Sequence, residues 1–102
     1  MRVSATARMM VIKLDASEWR SPEDFYSALL PQLGAPSWHG RNLDALAESL
    51  YGGINKVEPP FRVEVEGVEN LRPEMREFLS KVAIAFDDVQ AETKANIGFQ
   101  LI

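Results

Sequence analysis

The chain contains no cysteine and one histidine, His39. The first absence excludes a disulfide framework and a thiolate zinc site, and the second excludes an imidazole-rich metal site within one chain. No metal or cofactor is expected. No apolar run approaches the roughly 18 to 20 residues that a bilayer-spanning helix needs. The opening Met1-Arg-Val-Ser-Ala-Thr-Ala-Arg8 also lacks the apolar stretch of a signal peptide. A cytoplasmic protein with no membrane partner is the expectation. Clustered basic charge is missing as well. Residues 1–40 set four acids against four bases, whereas residues 41–102 hold eleven acids against seven bases. Phosphate backbones are bound by clustered Lys and Arg, so this balance disfavours nucleic acid as a direct ligand and favours a basic protein partner.

What is present suffices for one core. The 102 residues are 46% hydrophobic and 25% charged, as in a single domain. A flexible N-terminal tail is expected over residues 1–7 and the domain over 8–102. Met9 to Leu14 is a nearly continuous apolar run of strand length, the pattern of a strand covered on both faces. Ser21-Pro22-Glu23-Asp24 starts a helix, with serine at the cap, proline at the first helical position and acids at the positive end of the dipole. Phe25, Leu29 and Leu33 share its inner face, and Pro31 is expected to bend or shorten the last turn before Gly34. Phe61 to Val65 alternates strictly and reads as a second strand. Val68 to Arg72 is expected to form one helical turn. Pro73 opens the longest helix, whose apolar stripe of Met75, Phe78, Leu79, Val82, Phe86 and Val89 runs to about Glu92. Ile97 to Ile102 is the last strand. The fold class is therefore α/β, a three-stranded parallel sheet packed with helices in the order β-α-α-β-(short α)-α-β.

One stretch remains, Pro36 to Gly53, and it carries the functional reading. Pro36 and Gly40 punctuate an exposed loop bearing Trp38 and His39, and Asn42 offers a side-chain oxygen to the free amides of a new helix. Gly52-Gly53 ends that helix. Leu43, Leu46 and Leu50 fall on one face, while Asp44, Glu48 and Tyr51 fall on another. Carboxylates one turn apart often only keep a helix soluble, and Arg41 can neutralise Asp44. Here, however, the acids are flanked by aromatics of the kind that protein-binding hot spots favour. The long helix adds a second acidic pair, Asp88 and Glu92. The two faces together could form one anionic ridge.

Catalysis is the competing chemistry, since His39 lies near Asp44 and Glu48 in sequence and could work as a small hydrolase. Its nucleophile would be Ser37, Ser49 or Tyr51, none of them in a Gly-x-Ser-x-Gly elbow, and no glycine-rich phosphate loop is present. The residues favour binding over catalysis. A non-inhibitory interaction or regulatory module is the remaining alternative.

The run Trp38-His-Gly-Arg-Asn-Leu-Asp-Ala-Leu46, continued through Leu50 and Gly52, resembles the signature of the barstar family, the intracellular inhibitors of barnase-type secreted ribonucleases. The resemblance implies a barstar-like fold and no enzyme activity. It implies an antitoxin or immunity role as well, with a basic secreted ribonuclease or nuclease toxin as partner and a monomer when free. In such proteins the second helix and its preceding loop fill the nuclease active site, with carboxylates where RNA phosphates would lie. Carried over by position are Trp38, Asp44, Glu48 and Asp88, and the expected partner-binding set is completed by His39, Gly40, Asn42, Leu43, Tyr51 and Gly52 of the same loop and helix. Glu48 stands where the family's principal Asp lies, Arg41 replaces an acid, and Ala47 and Gly53 replace tryptophans. These departures imply a cognate nuclease other than barnase.

Overall fold

Strict alternation in Phe61–Glu66 (β2) places Phe61, Val63 and Val65 on one face of a sheet and Arg62, Glu64 and Glu66 on the other. A computed structural model describes residues 9–52 and 55–102; the expected tail over 1–7, and Gly53 with Ile54, lie outside the described residues. β2 is the middle of three parallel strands, flanked by Met10–Asp15 (β1) and Ile97–Leu101 (β3). The register aligns Ile12 with Val63 and Phe99, and Leu14 with Val65 and Leu101, which gives the sheet one apolar face. The helices bury their own stripes in the same core cluster.

The opposite face aligns Lys13, Glu64 and Gln100 and carries an Arg62–Glu64 ion pair of 2.9 Å. This corrects the expectation that β1 is covered on both faces. Only Ile12 and Leu14 of β1 are buried, while Met10 and Val11 are exposed at the sheet edge. An apolar run in an edge strand looks the same in sequence as one in a central strand.

The first helix spans Pro22–Leu33 (α1), the second Leu43–Gly52 (α2) and the third Pro73–Thr93 (α3). At the start of α1 the Asp24 carboxylate reaches back to the amides of Arg20 (2.7 Å) and Ser21 (3.3 Å), donors that would otherwise be free. Pro31 does not shorten the helix. Gly34 takes the left-handed conformation, its amide donating to the Pro31 carbonyl and that of Ala35 to the Leu30 carbonyl, a complete Schellman ending. A side chain at Gly34 would also press on Lys56, since a Cβ there would lie 2.7 Å from that of Lys56.

Val68 to Arg72 is a turn and not a helical turn. The Leu71 amide donates to Val68 O (3.2 Å), and Arg76 donates to the carbonyls of Val68 (2.7 Å) and Glu69 (3.0 Å). Those acceptors are thereby occupied, and Pro73 holds Arg72 extended, so a helix cannot begin earlier. Phe25, fully buried, is the hub of the core. Trp19, Tyr26, Phe78 and Phe99 pack edge-on around it at centroid distances of 5.7, 5.1, 5.4 and 6.3 Å. Among the described residues no helix is long and apolar enough to cross a membrane.

Candidate protein-binding face

The loop from Gly34 to Asn42 runs back along α1 before α2 begins. Arg41 fastens it there, donating to Ser27 Oγ (2.8 Å) and pairing with Glu23 (3.3 Å). The guanidinium therefore binds α1 rather than Asp44, contrary to the neutralisation considered from spacing. Asn42 caps α2 as expected: its Oδ1 accepts from the Ala45 amide at 2.7 Å. Gly40 lies against that first turn, where a Cβ would come within 3.1 Å of the Ala45 methyl. A side chain there would require the Ala45 methyl to give by a few tenths of an ångström.

Trp38 and His39, adjacent in sequence, point to opposite environments. Trp38 is 73% exposed. His39, expected in the exposed loop, is only 7% exposed. Its Nδ1–H donates to the Gly40 carbonyl at 2.6 Å, which leaves Nε2 buried without a partner among the described residues. The imidazole is thus a buried part of the loop, while the neighbouring indole faces solvent. Ser49, one of the hydroxyls that catalysis would need, is also buried. It donates to the Leu46 carbonyl (2.9 Å) and accepts from Asn55 (3.2 Å), tying the chain after α2 back to the helix. Neither residue is presented as a hydrolase would require.

Along α2, Leu46 and Ser49 face the core, Leu43, Ala47 and Leu50 pack partly against it, and Asp44, Glu48, Tyr51 and Gly52 are exposed. Leu43 lines a shallow cleft with Tyr26 and Phe78. Asp44 and Glu48 have no hydrogen-bond or ion-pair partner among the described residues. Tyr51 reaches across to α3 and donates its hydroxyl to Glu92 at 2.8 Å. That hydrogen bond, with slight desolvation and the charges of Glu92 and Asp88, raises the phenol above its usual ionisation range. Asp88 is exposed one turn before Glu92. The Tyr51–Glu92 bond therefore draws together the acidic parts of α2 and α3. Sequence spacing had paired Glu92 only with Asp88, because no local signal links residues 41 positions apart.

Fold and face together define a small α/β domain that presents a charged helix edge at its surface. The family model described as Barstar (barnase inhibitor) matches residues 9–102. The chain belongs to the barstar family. No curated protein matches it.

Proposed function

We propose that this chain inhibits a basic ribonuclease or nuclease toxin by seating the Trp38–Asn42 loop and the exposed face of α2 in the enzyme's active site. It acts as a binding protein and not as an enzyme. The observation that carries the reading is the pair Asp44 and Glu48, exposed one turn apart with no ion-pair partner among the described residues and flanked in sequence by Trp38 and Tyr51. Like charges at that spacing are mildly repulsive, and a partner's Arg, Lys and His groups would turn the repulsion into attraction. Asp88 extends the same charge onto α3. Gly40, Asn42, Leu43 and Gly52 shape the edge, and His39 is buried in the loop before it. The setting is that of an immunity protein or antitoxin inside the cell that makes the nuclease.

Glu48 gives the edge its own selectivity. It has one methylene more than aspartate, so it reaches further and loses more rotamer freedom on docking. Arg41, standing where the family has an acid and paired with Glu23 on α1, adds no negative charge to the rim. Both features fit a nuclease other than barnase. The test is a nuclease captured at low salt from the source cells or their medium, assayed with and without this protein. Glu48→Ala and Asp44→Ala should each weaken inhibition by about tenfold or more while leaving the folded state intact. Unchanged inhibition by both variants would remove the α2 face from the interface.

A further inference from the structure

A groove lies where β1 and β2 hand over to their following turns, and neither Asp44 nor Glu48 lines it. It is lined by Ser17, Glu18, Trp19 and Arg20 from one turn and by Asn70 and Arg72 from the other, and has a volume of about 710 Å³.

The two arginines distinguish this groove from the rest of the surface. Of the five arginines among the described residues, Arg41, Arg62 and Arg76 have their guanidinium groups engaged by Glu23 and Ser27, by Glu64, and by the Val68 and Glu69 carbonyls. Arg20 and Arg72 make no hydrogen bond or ion pair through theirs among the described residues, and these two share the groove. Neither forms an ion pair with a carboxylate among the described residues. Asp24 accepts from the Arg20 and Ser21 amides at 2.7 and 3.3 Å and Asp15 from the Ser17 amide at 2.9 Å, and Glu18 is the acid in the lining. Two guanidinium groups, a serine hydroxyl and an asparagine amide are the donor set that oxyanions are bound by. Trp19 stands beside them, its indole held edge-on to Phe25 at 5.7 Å.

We infer that this groove binds a small dianionic oxyanion, inorganic phosphate or a phosphate monoester, with Arg20 and Arg72 as its principal ligands. The acidic face on α2 takes no part in it. Trp19 supplies an apolar wall against which the organic group of a monoester would lie.

Trp19 and Trp38 are the two tryptophans of the chain, so Trp38→Phe leaves Trp19 as the only indole reporter. That variant is titrated with inorganic phosphate and, in a second arm, with phenyl phosphate, at constant ionic strength against chloride. A saturable change in fluorescence is expected, with a dissociation constant on the order of 1 mM or tighter. Arg20→Gln and Arg72→Gln should each weaken it by about tenfold. Circular dichroism checks that both variants fold, and the Glu48→Ala change should leave the titration unmoved. Tighter binding of phenyl phosphate assigns the site to monoesters; equal binding assigns it to the free ion. No saturable signal up to about 20 mM phosphate, or affinity unaffected by both arginine substitutions, overturns the proposal.

Discussion

At the scale of single residues, burial sets a property that the sequence only hints at. Tyr26 follows Phe25 in sequence and lies beside the inner face of α1, but its titration depends on what closes over it. It is 2% exposed, edge-on to Phe25 and Phe78, and burial with the nearby Glu23 charge pushes its phenol up to about 12. An unfolded tyrosine ionises at about 10. The folded state therefore resists ionisation, and its stability is fully present below about pH 10 and declines as pH rises from about 10 to about 12. Tyr51 adds a decline of the same sign through its bond to Glu92. Urea midpoints measured at about pH 9 and about pH 11.5 should fall less in Tyr26→Phe than in the parent. An equal fall in both proteins would mean that Tyr26 is not the group responsible. Histidine shows the same limit of sequence reading. The residues around His39 do not say that it turns inward while Trp38 turns outward, because the decision rests on the packing of the loop against α1, where Arg41 reaches 14 to 18 residues back along the chain.

At the scale of elements, what could be read in advance was what short-range chemistry decides. The start of α2 at Asn42, the Gly34 ending of α1, the alternation of β2 and the stripe of α3 all follow from a few neighbouring residues, and each lies where those residues put it. The misreadings were at places where distant groups decide. The Val68–Arg72 turn is held by Arg76 from within α3, and β1 has an open face because the helices pack against only one side of the sheet. Within the candidate face, Asp44, Glu48 and Tyr51 were legible from periodicity, whereas the Tyr51–Glu92 link was not. The cap at Asn42 makes a clean test of how much α2 depends on its own first turn. Asn42→Ala removes the acceptor for the Ala45 amide and should lower stability by about 1 kcal/mol. Asn42→Asp, which keeps the acceptor, should recover most of it. Denaturant midpoints give both values, and equal losses from the two substitutions would show that the cap contributes nothing.

At the scale of the whole molecule, the formal charge of −4 is distributed so that its effect on binding is directional. Arg41 is neutralised by Glu23, and Arg62 by Glu64 on the uncovered sheet face. Asp44, Glu48, Asp88 and Glu92 have no such counterions among the described residues, and the Tyr51 bond gathers the last two beside α2. A basic nuclease approaching from solution would therefore be drawn toward this edge before any contact forms. At 0.1 M salt, charges are screened over about 10 Å, so the attraction weakens steeply as ions are added. Barnase with its inhibitor is the reference pair for this behaviour, and the magnitude expected here is taken from it. Stopped-flow association with the captured nuclease should slow by about tenfold or more between about 0.05 and 0.5 M NaCl, with dissociation changing far less. Trp38→Ala should show the complementary pattern. It removes an exposed aromatic anchor without altering charge, so dissociation should quicken while the salt slope of association stays as it was. An association rate indifferent to salt would mean that the acids on α2 and α3 do not guide the encounter, and the partner would then have to be sought among proteins without a basic active site.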